Sequence, residues 1–319
     1  MFLPKIVITI GDPSGIGPEV TAKALADPSV KKICRPLVIG SGVFFNGVLW
    51  AEGLSAVRSS GDFIDIPADG SKVISGRNTA AAGKLSYEYI LKAVELIKSG
   101  RADAMVTAPI SKAALMLAGV PYSGHTELLA ALSGTASFVM MMTAEKVRTA
   151  MVTRHMPVVE TGKNLTIDGI METVQVSWEF LKTKYKIPDP RIAVSALNPH
   201  AGEGGILGKE ENAVITPAVR ALKAKGVDVT GPLPADSLWV KLNKKEFDLG
   251  VFMYHDQVMI GLKCINPGKV VNITAGLPFI RTSPGHGTGF DIAGKHCADP
   301  TSMIEAIKTA TALFKDSKI

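Results

Sequence analysis

Short apolar runs closed by glycine- and proline-rich turns recur along the chain, and between them lie longer stretches whose apolar residues return at helical spacing. That alternation predicts an α/β fold on a largely parallel sheet. Residues 5–10 form a β-branched run ending in GDPSGIGPEV, where Pro18 and Glu19 suit the first turn of a helix. Residues 37–40 repeat the pattern, but Phe45 stands where the third glycine of a G-x-G-x-x-G turn would fall, so the usual dinucleotide fingerprint is absent. Helical spacing over 79–98 precedes a buried strand at 104–106, which ends in the polar loop TAPISK.

Further on, 138–142 and 147–152 predict a hairpin around Ala144-Glu145, and the second strand delivers Thr153-Arg154-His155. An amphipathic helix at 167–186 leads to a strand at 192–197 and then to NPHAGEGG. A helix at 210–225, a loop holding Asp236, and a strand at 249–254 running into His255-Asp256-Gln257 follow. HGT after Pro284-Gly285 reads as a helix entry, and 302–314 as a closing helix. With no repeat and no linker, a second domain has to be built by interleaving.

Composition narrows the class. Of 319 residues, 46% are hydrophobic and 20% charged, which describes a compact globular protein. The net charge of +6 is spread without Lys/Arg blocks, so neither nucleic acid nor a membrane surface is an expected partner, and anionic small molecules fit better. Three scattered cysteines, Cys34, Cys264 and Cys297, indicate neither a disulfide framework nor a thiolate metal site, and the expected compartment is the cytoplasm.

The chemistry starts from His155, His200 and His255, each of which directly follows an apolar strand. A lone histidine after a strand is more often a loop hydrogen-bonder than a ligand. Three at equivalent strand ends balance that reading against an open tri-imidazole site for a divalent ion, since ligands of α/β sheets bind beyond the carboxyl ends of strands. Asp236 and Asp256 are candidates to orient a ligating ring or, equally, to cap helices. Lys263, Asn272 and Arg281 form a second set flanking a buried-looking strand, where a guanidinium can grip phosphate or carboxylate. The alternative is that both cations are ordinary surface charges. His125 and Thr126 open an apolar helical run, so that Thr126 is expected to cap the helix and its free N–H groups to suit a phosphate. His286 and His296 are assigned no chemistry.

With GDPSGIGPEV, TAPISK, GHTELLA, TRHMP, NPHAGEGG, GPLPADS, MYHDQ and VNITAGLPFIRTS in one order, the sequence resembles the 4-hydroxythreonine-4-phosphate dehydrogenase family of vitamin B6 biosynthesis over essentially its whole length. The resemblance implies an isocitrate/isopropylmalate-dehydrogenase-like α/β fold of two interleaved domains, 1–119 with 286–319 and 120–285. It also implies a homodimer with shared active sites in the cleft at the dimer interface. One divalent metal ion (Zn, Mg or Co) per site is carried onto His155, His200 and His255. Substrate contacts fall on His125, Thr126, Lys263, Asn272 and Arg281, with Lys263 and His125 in catalytic roles. The implied reaction is NAD- or NADP-linked oxidation of 4-phosphooxy-L-threonine to a β-keto acid that decarboxylates to 3-amino-2-oxopropyl phosphate. Two alternatives are a 4-phospho-D-threonate or D-erythronate dehydrogenase of the same family and a non-catalytic sugar-phosphate binding protein. The chain departs from the family pattern where Gly285 precedes HGT and where GKHCAD replaces a GKG-type turn.

Overall fold

A computed structural model describes residues 3–55, 62–122 and 124–318. The chain forms two compact units, one of residues 1–136 with 277–319 and one of residues 137–276.

In the first unit the predicted apolar runs become β1 (Lys5–Thr9), β2 (Arg35–Gly40) and β4 (Ala104–Thr107); β3 (Asp62–Asp65), a half-exposed edge strand that no apolar run announced, and β11 (Arg281–Pro284), from the far end of the chain, join them. The order is β3-β2-β1-β4-β11, and every pair is parallel. Burial on both faces explains the unbroken apolar runs: Ile6, Val7, Ile8, Met105 and Val106 are all inaccessible to solvent. Helix Ala80–Lys98, capped by the Thr79 hydroxyl on Ala82 N–H, packs on β1 and β2, while helix Thr301–Lys318 covers β4 and β11. All three strands that matter for the site, β1, β4 and β11, therefore end on the same edge. Their loops carry GDPSG, TAPISK and the segment after Pro284.

The second unit begins with the hairpin β5 (Val139–Ala144) and β6 (Val147–Met151), whose two-residue turn places Glu145 at φ 55. It continues through β7 (Ile192–Ser195), β8 (Val229–Leu233), β9 (Leu249–Phe252) and β10 (Val271–Ala275), in the order β10-β5-β6-β9-β7-β8. β10, β5 and β6 run antiparallel in succession, whereas β6, β9, β7 and β8 are parallel. Met142, Met151, Leu238, Phe252, Val258 and Leu262 share one core, with Trp239 stacked on Phe252 at 5.1 Å.

The predicted boundaries shift in physically explicable ways. Helix His125–Ser133 packs on helix Ala80–Lys98, and β11 pairs with β4, so both belong to the first unit, and the divisions fall at 136 and 276 instead of 119 and 285. Thr126 does not cap its helix: the helix starts one residue earlier behind Gly124, no side chain caps it, and Thr126 is buried as its second residue. HGT opens no helix; irregular turns persist to Thr301.

Candidate active site

Strand order accounts for the gathering of the histidines in the second unit. β6, β9 and β7 are parallel neighbours in register, with Met151 opposite Phe252 and Val194 opposite Val251. The residues after each strand therefore leave the same edge, carrying His155, His255 and His200. The His155 and His255 rings lie 5.6 Å apart between centroids, tilted by 44°. His255 is the first residue of helix His255–Ile265, and its Nδ1 pairs with Asp256 Oδ1 at 2.7 Å. That carboxylate favours a proton on Nδ1 and leaves Nε2 with its lone pair, the arrangement that metal-ligating histidines show. Both rings line a cavity of about 390 Å³ with Arg154, Thr161, Tyr254 and Asp256. A neighbouring cavity of about 480 Å³ is bounded by Lys163, Asn198, Glu210 and Tyr254. The other proposed orienting group, Asp236, instead accepts the Ser237 N–H at 2.8 Å at the start of helix Ala235–Asn243.

His200 sits in a different setting. From His200 to Gly204 five successive residues have positive φ (53°, 54°, 74°, 43° and 69°), forming one left-handed turn, and three of them are not glycine. L-residues in that conformation cost roughly 1–2 kcal/mol each, so the surroundings must hold the turn in place. Among the described residues no three His, Cys, Asp or Glu side chains come close enough together to hold one metal ion.

Gln257 joins the strand ends below the histidines. Its side-chain oxygen accepts the Met253 N–H at 2.9 Å, and its amide donates to Ala196 O at 3.0 Å. The residue after β9 and the residue after β7 are thereby held by one side chain.

In the first unit Arg281, the largest fully buried side chain, lies at the start of β11, and its Nε and Nη2 donate to the Thr107 hydroxyl at 3.2 and 2.7 Å. Burial pushes the guanidinium down to about 9, against the opposing pull of Glu127. Burial, and then the Arg281 charge, hold His125 well below the usual histidine range, so it is neutral at pH 7; its Nε2 is buried without a hydrogen-bond partner. Asp12, in the loop after β1, is also buried. One carboxylate oxygen takes the Ser14 N–H at 2.8 Å, the other has no partner, and burial raises its pKa.

The predicted residues thus divide between the units. Arg281, His125 and Thr126 lie in the first; Lys263, Asn272, His155, His200 and His255 lie in the second. Lys263 is exposed in the last turn of helix His255–Ile265, and Asn272 on β10 keeps its side-chain oxygen buried and without a partner. Arg281 is no ordinary surface charge, whereas Lys263 is solvent-exposed. Sequence reasoning passed over Thr107, Asp12, Gln257 and Glu211. For Glu211 a signal existed: it falls on the buried stripe of its helical segment with Ile215, Ala218 and Leu222.

The family model described as pyridoxal phosphate biosynthetic protein PdxA matches residues 32–310. A 4-hydroxythreonine-4-phosphate dehydrogenase of Desulforapulum autotrophicum is 43% identical, with 96% of this chain and 94% of that protein covered. A D-threonate 4-phosphate dehydrogenase of Cupriavidus necator is 42% identical, with 98% of each covered. The crystal structure of a 4-hydroxythreonine-4-phosphate dehydrogenase from Klebsiella pneumoniae superposes with a TM-score of 0.89 at 38% identity, covering 98% of both chains.

Proposed function

The chain belongs to the family of the pyridoxal phosphate biosynthetic protein PdxA, and from that premise we propose that it is a nicotinamide-dependent dehydrogenase of 4-phosphooxy-L-threonine. The product of C3 oxidation is a β-keto acid that loses CO₂ to give 3-amino-2-oxopropyl phosphate. The observation that carries this reading is the 43% identity, over nearly the whole length of both chains, to a dehydrogenase so named. A second reading, oxidation of 4-phospho-D-threonate or the corresponding erythronate, is favoured by the 42% identity to a D-threonate 4-phosphate dehydrogenase.

Imidazoles suit a divalent ion, although the described residues of one chain do not bring three such ligands together. His255 has its Nδ1 on a carboxylate and its ring beside His155; with His200 these are the residues that would hold zinc, magnesium or cobalt. A metal ion bound there would supply Lewis-acid polarisation of the substrate hydroxyl and of the carbonyl that replaces it, and NAD or NADP would accept the hydride. The rest falls to the chain's own side chains. Arg281, buried and positively charged at pH 7, suits an anionic substrate group, for which it can offer parallel N–H donors. His125, neutral at the start of its helix, offers a ring nitrogen to a substrate oxygen without competing charge. Lys263 is the candidate for proton relay or substrate anchoring, and Asn272 supplies an amide. A homodimer with shared sites accords with the exposed apolar residues beside the histidine loops, Val158 and Val159 after His155 and Ile206 after His200.

A substrate panel tests the reading. NAD(P)H formation should depend on added Zn²⁺, Mg²⁺ or Co²⁺ after chelation, and kcat/KM should be highest on 4-phosphooxy-L-threonine. A higher value on 4-phospho-D-threonate moves the assignment to the second reading, and absence of NAD(P)H from every substrate removes the dehydrogenase itself.

A further inference from the structure

A buried carboxylate receives the backbone just before the left-handed turn that carries His200. Glu211, 3% exposed, lies in a single π turn, Glu211–Ile215, ahead of helix Thr216–Ala224. Its Oε1 accepts the backbone N–H groups of Leu197 and Asn198 at 2.9 and 2.8 Å, and its Oε2 accepts the Asn198 side-chain amide at 3.0 Å. Glu210 takes the same Asn198 amide at 2.8 Å. The two N–H groups belong to the residues through which the chain leaves β7 for the turn, so Glu211 sets the direction of entry.

One glycine of NPHAGEGG, Gly202, and Gly208 just beyond the motif have their reason here. A Cβ on Gly202 would stand 2.5 Å from Glu211 Oε2, and one on Gly208 would stand 2.3 Å from Asn198 Nδ2. Both close approaches are to the carboxylate–amide clamp of the same chain. Both Glu211 oxygens are engaged by donors of its own chain. Charge-assisted bonds of this kind are among the stronger hydrogen bonds, and single π turns, rare in general, are frequent at functional sites.

We propose that Glu211 is a positioning residue: its carboxylate fixes the left-handed turn and thereby the placement of His200. The effect on metal binding rests on the reading of His200 as a ligand given above; the effect on the turn does not.

The test compares Glu211→Ala, Glu211→Gln and His200→Ala with the wild-type full chain. Hydrogen exchange of Leu197 and Asn198 N–H in metal-free protein should quicken at least about tenfold in Glu211→Ala, with β6 and β9 unchanged. Glu211→Gln keeps one carbonyl acceptor and should lie between. Zn²⁺ affinity by titration calorimetry should fall about 10- to 100-fold in Glu211→Ala, the range for loss of a group that orients a metal ligand, and less in Glu211→Gln. In His200→Ala the further change Glu211→Ala should cost little more Zn²⁺ affinity, because the two act through one group. Unchanged exchange at 197 and 198, faster exchange spread evenly over the unit, or full additivity of the two substitutions overturns the proposal. If the wild type binds no Zn²⁺, the metal reading fails by itself and the exchange arm still decides whether Glu211 holds the turn. Should Glu211→Ala not fold, Glu211→Gln carries both arms.

Discussion

Arg281 and His125 make opposite demands on pH, and each can be checked separately. The charged guanidinium is the form that grips an anion, and with its pKa pushed to about 9, affinity for sulfate, whose own charge is constant over this range, should hold from pH 7 to 8 and decline as pH rises through about 9. A flat affinity from pH 7 to 10 would contradict that. Arg281→Ala should raise KM for the phosphorylated substrate about 10- to 100-fold, since hydrogen bonds to charged groups contribute roughly 1.5–3 kcal/mol; an unchanged KM removes Arg281 from the site. His125 runs the other way in stability. Its folded pKa lies below the unfolded value, so the unfolded chain takes up the proton first, and the stability it contributes is present above about pH 6.5 and lost as pH falls below it. The drop in Tm between pH 7.5 and 5.5 should therefore shrink in His125→Asn, and an equal drop in both proteins would refute the assignment. The positions of these residues were readable because each stands beside an element boundary. Burial of Arg281 on Thr107 was not readable, because its partner comes from β4, 174 residues away.

At the level of elements, apolar runs and helical periods located the fully buried strands of both units and the long helices, but not the half-exposed β3 and β8, whose side chains face solvent in part, nor β11, a buried polar strand. Helix starts were less legible. Thr126 has the chemistry of a cap but lies inside the helix, and HGT resembles an entry that tertiary contacts leave irregular. The NPHAGEGG turn was legible as a loop at a strand end, but its left-handed course was not, because it depends on a carboxylate that arrives from Glu211. Gly202 and Gly204 separate backbone from clash. Both have φ near +70°, yet a Cβ on Gly204 meets nothing within 4 Å. Gly204→Ala should cost about 1–2 kcal/mol from the left-handed backbone alone. Gly202→Ala should cost about 1–3 kcal/mol more from forced displacement of the buried Glu211 carboxylate. Urea unfolding of the two variants measures the difference, and equal losses would show that the carboxylate yields freely.

For the whole molecule, the three imidazoles pose a question that one chain leaves open: the loops leave one edge of the second unit, yet no three ligand side chains converge among the described residues. Beside these loops apolar groups face solvent, with Val159, in helix Val158–Asn164, 83% and Ile206 81% exposed. Singly exposed apolar side chains are common on protein surfaces, but these two stand beside the histidines. A second copy of this chain over that face would bury them and bring further groups to the histidines, which is the shared-site homodimer expected from the family. Sedimentation velocity should then show a dimer at micromolar concentration. Val159→Asp and Ile206→Asp, each placing a charge in the covered face, should shift it toward monomer and lower Zn²⁺ affinity in the same variants, while the Tm of the monomer changes little because neither residue is in the core. A dimer undisturbed by both substitutions would place the interface elsewhere. A monomeric variant with undiminished Zn²⁺ affinity would mean that one chain completes the metal site by moving the His200 turn, and Glu211 would then be holding a movable arm.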